Sequence, residues 1–238
     1  MSVLDVPSAR MQADAEPSVG VFAFGPSEWE LLSERFAFLG NSLLDPPSRD
    51  TALGLHEQFW GVFAEGLVGV GCANELIVSG VDHAQRFARR MAVGDEGALG
   101  LVRMEHARLF VGPPKPAAPP WETFYAQPGC IGDAGFGRAT FAMRSILRQA
   151  GLEVRGASNQ YADHMGLELL YIATLCDRFA CAPPSADEVA MLVGFVGTHP
   201  GAWAPAFCAA VQNAAPDGYY RCIAETAAGL CRCLARNA

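Results

Sequence analysis

The stretch Gly135-Phe136-Gly137-Arg138-Ala139-Thr140-Phe141-Ala142-Met143-Arg144-Ser145-Ile146-Leu147 closes a glycine-rich patch and opens a regular pattern. Phe136, Ala139, Thr140, Met143, Ile146 and Leu147 recur at spacings of three and four, the period of one helix face. A half-buried strand would need strict alternation, and no segment shows a convincing period-two run with turn residues at both ends. Outward from this stretch the helical reading repeats. Pro26 to about Leu44 reads as a helix, with Ser27 and Glu30 at capping-box spacing and a stop at Asp45-Pro46-Pro47. A second starts near Ser48 and carries Leu53, Leu55, Phe59, Trp60 and Phe63. A third covers about Ala73 to Met91, and a fourth about Asp95 to Phe110. Further helices are expected over Asp163 to about Ala180, from the Ser185/Glu188 capping box to about Thr198, over Trp203 to Ala214, and over Tyr219 to Arg236. Eight or nine helices without a sheet predict an all-α, single-domain helical bundle.

One segment breaks the pattern. Gly112-Pro113-Pro114-Lys115-Pro116-Ala117-Ala118-Pro119-Pro120 holds five prolines in eight positions from Pro113 to Pro120. Proline lacks an amide donor, so this is a stiff, partly extended surface loop rather than helix or central strand. Residues 1–20 lack periodicity and read as a flexible tail, with 21–238 as the helical domain.

The chain has 238 residues, 51% of them apolar and 18% charged, which is ample for a core and excludes a disordered chain. Its net charge of −8 argues against nucleic-acid binding, which needs clustered Lys and Arg, and favours a cationic partner. The N-terminus has no basic region or apolar core of a secretory signal. No apolar run reaches the roughly 18 residues of a membrane span. Cys72, Cys130, Cys176, Cys181, Cys208, Cys222, Cys231 and Cys233 mostly sit in apolar helical patterns, where free Cys packs as a small hydrophobe. All eight are expected to be reduced, in a cytoplasmic protein.

Enzyme signatures are missing. The chain has no P-loop, no Gly-x-Ser-x-Gly elbow and no Glu-x-x-His. His56-Glu57 begins like a zincin motif without its second His. Cys231 and Cys233 stand two apart, so on a helix they point to nearly opposite sides. Arg89-Arg90 is internal and reads as a solvated helix end. No cofactor, no metal ligand and no catalytic residue is expected.

Three pieces remain unusual together. They are Glu105-His106-Ala107-Arg108-Leu109-Phe110-Val111-Gly112-Pro113, Pro119-Pro120-Trp121-Glu122-Thr123-Phe124-Tyr125, and Tyr161-Ala162-Asp163-His164-Met165-Gly166-Leu167-Glu168-Leu169. Each has a plain structural role open to it: Leu109 and Phe110 as core, Trp121 as a plug for the loop, Asp163 as a helix N-cap, and His164 with Glu168 as an i,i+4 pair. As a set, they resemble the TorD/DmsD family of cytoplasmic redox-enzyme maturation chaperones, related to NarJ. That family shows a Glu-x-x-x-Leu-Phe-x-Gly-Pro-like segment, a proline-rich loop ending Pro-Pro-Trp/Tyr-Glu-Ser-x-Tyr/Trp, and an Asp-His-x-x-x-Glu-Leu helix. Phe195-x-x-x-His199-Pro200-Gly201-Ala202-Trp203 is similar to a later family segment, with Pro200 in place of an aliphatic residue.

The resemblance implies an all-helical, non-catalytic protein. It implies binding of the twin-arginine signal peptide of a molybdenum-cofactor oxidoreductase precursor, held in the cytoplasm until cofactor loading and then exported. Pro120, Trp121, Asp163, His164 and Glu168 are then expected to line one peptide groove, with Asp163 meeting an arginine or capping the groove and His164 holding its orientation. Glu105, Leu109, Phe110, Gly112, Pro113, Pro119, Glu122 and Tyr125 are expected to be structural. The rival readings are a helical metal-dependent enzyme, started by His164 with Glu168 or Asp163, and a helix-binding regulatory protein without a signal-peptide client.

Overall fold

A computed structural model describes residues 24–91, 96–112, 114–126, 137–152 and 160–236. The tail, Pro113, Cys130 and most of the glycine-rich patch lie outside the described residues. Nine α-helices are described: α1 Pro26–Leu44, α2 Glu57–Gly69, α3 Glu75–Arg90, α4 Glu96–His106, α5 Arg138–Gln149, α6 Met165–Cys181, α7 Ala186–Thr198, α8 Pro200–Ala214 and α9 Tyr219–Arg236. Among the described residues there is no strand, only an isolated bridge between Trp121 and His164. No described helix is long and apolar enough to cross a membrane.

The core is organised by two long helices. In α1, Trp29, Leu32, Phe36, Leu39 and Leu43 fall on one face and are buried, the stripe that a 3.6-residue period dictates. They pack along α6, whose Met165, Leu169, Ile172, Cys176 and Phe179 are buried. The two backbones nearly touch. A Cβ on Gly40 would stand 2.8 Å from the Gly166 carbonyl oxygen, and one on Gly166 would stand 2.7 Å from that of Gly40. Helix α9 is central: from Tyr219 to Leu234 only Arg221 and Arg232 are not fully buried, and α3, α8 and α7 pack around it. Its first amides are capped from another helix, because Tyr219 N–H and Tyr220 N–H donate to the Glu105 carboxylate at 3.1 and 2.8 Å. A carboxylate there completes orphan donors and opposes the positive helix end.

Several local expectations shift. The Ser27/Glu30 box does not form: the N-cap is Gly25, and Pro26 occupies the first turn, a position where its missing N–H costs nothing. The Ser185/Glu188 box forms with both arms, at 3.3 and 2.9 Å. The helix expected from Ser48 divides into a 3₁₀ segment, Arg49–Leu55, and α2, with an extended His56 between them. After α4 the chain widens into a π turn, Ala107–Val111, which ends at Gly112 with φ +92°. An L side chain rarely adopts that conformation. The proline-rich loop then runs back on the turn, with Ala117 and Ala118 N–H donating to the Arg108 and Leu109 carbonyls.

The cysteine expectation is corrected. Cys72 and Cys233 form a disulfide, their Cα atoms 5.4 Å apart across 161 residues of sequence. The bend between α2 and α3 is brought against the last turns of α9, a juxtaposition that residue spacing cannot reveal. Cys176, Cys181, Cys208, Cys222 and Cys231 are free thiols. Arg89 and Arg90 do end α3 at the surface, donating to Glu57 and to the Asp217 carbonyl.

Candidate functional site

The proline-rich loop and the entry to α6 are laced together by backbone. Met165 N–H donates to the Pro120 carbonyl at 2.8 Å, and Glu122 N–H to the Asp163 carbonyl at 2.9 Å. Pro120 has no N–H to offer but keeps its acceptor. Trp121 thereby lies opposite His164, with ring centroids 5.9 Å apart in an edge-to-face arrangement. Phe124 and Tyr161 flank the indole, each at 6.0 Å. Trp121 is 9% exposed, while its neighbour Phe124 is 37% exposed. The loop end is therefore a mostly buried plug with an aromatic edge at the surface.

Asp163 is 0% exposed. Its Oδ2 accepts the Thr123 N–H at 3.1 Å and the Thr123 hydroxyl at 2.5 Å, and its Oδ1 accepts the Thr140 hydroxyl at 2.9 Å. These bonds tie the loop, α5 and the start of α6 to one carboxylate. Thr123 and Thr140, rather than His164, hold its orientation. The loop motif carries a hydroxyl residue at position 123, but nothing in the sequence ties it or Thr140 to Asp163, 40 and 23 residues away.

The α6 N-cap is His164, not Asp163. Its Nδ1 accepts the Gly166 N–H at 3.0 Å, so the ring is neutral with its proton on Nε2. Burial pushes its pKa down to about 3, because a charged imidazole would lose its hydration there. His164 and Glu168 do not pair through their side chains. Glu168 Oε2 instead accepts the Trp203 indole N–H at 3.0 Å. Burial, reinforced by the neighbouring Glu122 carboxylate, pushes the Glu168 pKa well above the usual carboxylate range. Glu122 Oε2 lies 2.9 Å from His199 Nδ1, and Tyr125 stacks on Trp203 at 5.3 Å.

All five expected groove residues are thus neighbours, but they face two ways. Asp163 looks toward α5, Glu168 looks toward α8, and Asp163, His164 and Glu168 are each no more than 1% exposed. Beside them, the exposed Phe124 and half-buried Tyr161 form an aromatic edge against the nearly buried Trp121. Two cavities flank this joint. One of about 490 Å³ is lined by Arg144, Leu147, Arg148 and Tyr161. The other, of about 410 Å³, is lined by Ile146, Tyr171, Phe195 and His199. In the first segment of the motif set, Glu105 caps α9, while Leu109 and Phe110 lie in the core.

Residues 77–209, which include every motif residue above, match the model of the Nitrate reductase delta subunit family. The chain belongs to this family, the NarJ/TorD group that contains the TorD/DmsD chaperones. A protein of Haemophilus influenzae named "Probable Tat proofreading chaperone DmsD" is 25% identical over 133 residues, covering 56% of this chain and 60% of the relative. The match thus spans less than two thirds of that relative's length. The NarJ/TorD region runs from α3 through most of α8, and so contains the whole loop–α6 joint.

Proposed function

We propose that this chain is a maturation chaperone that binds the twin-arginine leader of an export precursor in the cytoplasm, the client being a molybdenum-cofactor oxidoreductase. The observation that carries this reading is the convergence of three of the family's dispersed segments, the loop end, the Asp163-His164 helix and the His199–Trp203 stretch, on one joint with an aromatic edge. Such a leader has a cationic pair followed by an apolar segment. The Trp121–Phe124–Tyr161 edge offers broad, rigid apolar contact at low ordering cost. The net charge of −8 favours approach of the arginines. Pro120, Asp163 and His164 act behind Trp121, positioning the edge, while Glu168 faces α8 and holds the Trp203 indole. The site binds and releases; it performs no bond chemistry.

Titration calorimetry with the client's leader tests this. A chaperone must release its client, so a micromolar Kd is expected, about −8 kcal/mol. Trp121→Ala should weaken binding about thirtyfold, the effect of losing an aromatic anchor worth about 2 kcal/mol. Asp163→Asn should cost about 2–3 kcal/mol of stability, through its buried hydrogen bonds, with little direct effect on affinity. Unchanged affinity in folded Trp121→Ala would move the peptide elsewhere. Failure of every twin-arginine leader to bind would favour the regulator without such a client.

A further inference from the structure

Two other carboxylates are as deeply buried as Glu168, and both are saturated with donors. Asp163 takes three hydrogen bonds. Glu225, on α9, accepts from Ser79, Gln212 and Arg221. Glu168 differs: Oε2 accepts from Trp203, but Oε1 has no hydrogen-bond partner among the described residues. A buried carboxyl oxygen with no donor from another group needs a positive partner, either a proton shared with a neighbouring carboxylate or a cation. Beside it stand Glu122 and His199, and one ligand-capable atom from each of the three residues lies within 4.8 Å of the others.

We propose that Glu122, Glu168 and His199 form a binding site for a divalent cation such as Zn²⁺ or Mn²⁺. Two carboxylates and an imidazole are ligands that both ions accept. Around a tetrahedral ion at about 2.1 Å, ligand atoms sit roughly 3.4 Å apart. Closure from 4.8 Å therefore needs an inward movement of about 1.4 Å at most, within reach of side-chain rotation. The Trp203 indole already orients Glu168 from behind, the kind of outer contact that fixes a metal ligand. His199 also lines the 410 Å³ cavity, which supplies a path from solvent. The ion would join three elements: the loop end at Glu122, α6 at Glu168 and the α7–α8 corner at His199. None of these residues belongs to the surface edge assigned to the leader, so this site stands or falls apart from that reading.

The test uses the full chain, stripped with chelator and titrated with ZnCl₂ or MnCl₂ by calorimetry and thermal denaturation. One ion per chain is expected, with the melting temperature rising by roughly 5–10 °C at a hundredfold excess over Kd. Glu168→Gln keeps the shape and the Trp203 bond, and His199→Gln keeps a polar side chain of similar reach. Each should fold yet bind the ion at least tenfold more weakly. The proposal is overturned if neither ion binds the wild type below about 1 mM, or if the same binding persists in both variants, which would place the ion on other groups such as the cysteines.

Discussion

His164 illustrates how one side chain can be legible in type and illegible in role. It caps α6 through Nδ1 and packs edge-on against Trp121, so protonation would destroy the cap and strand a charge in the interior. Its folded pKa of about 3 lies below the ordinary histidine value of 6.5. The unfolded chain therefore binds the proton first, and stability falls as pH drops from about 6.5 toward 3. This group alone contributes about 1.4 kcal/mol of loss per pH unit in that window. His164→Asn retains a capping acceptor but cannot titrate. Chemical denaturation at pH 7 and pH 5 should therefore show the variant losing about 2 kcal/mol less than the wild type over that interval. An equal loss in both would mean that other groups govern acid sensitivity.

At the scale of elements, the α1–α6 contact sets the position of everything behind Trp121. Each helix presents a glycine to the other's backbone, and a Cβ on Gly166 would meet both the Gly40 carbonyl oxygen and the branched Leu44 Cγ at 2.7 Å. Gly166→Ala must therefore push the helices apart or shift α6 along its axis. A loss of about 1–3 kcal/mol is expected, as for other overpacked interiors, read as a lower urea midpoint. Because α6 begins two residues after Asp163, the same variant should also weaken leader binding. A stability change without a change in affinity would show that the site tolerates movement of α6.

At the scale of the molecule, the Cys72–Cys233 bridge closes a loop spanning 161 residues of sequence. In the chain-entropy description a closure of that size restricts the unfolded state by about 4–5 kcal/mol. Reduction, or Cys72→Ser, should lower the melting temperature by about 10 °C. Mass spectrometry of alkylated protein supplies the direct check, with the Cys72 and Cys233 peptides linked before reduction and separate after it. If both thiols alkylate without reductant, the bridge is not present in the purified protein.

Helix content was legible from residue order because helical burial has a local period: α1, α5, α7 and α9 fall where spacings of three and four place them. Proline density marked the loop, and the motif segments identified which parts of the chain meet. Directions and partners were not legible. Asp163 is held by hydroxyls at 123 and 140, Glu105 caps a helix that begins at 219, and Cys72 finds Cys233. Glu122, Glu168 and His199 meet from three separate elements. The physical reason is common to all of them. Periodicity reports only which face of an element avoids water, whereas hydrogen bonds, bridges and ligand clusters depend on how those faces are packed in space. That packing brings residues 23 to 161 positions apart to within a few ångströms.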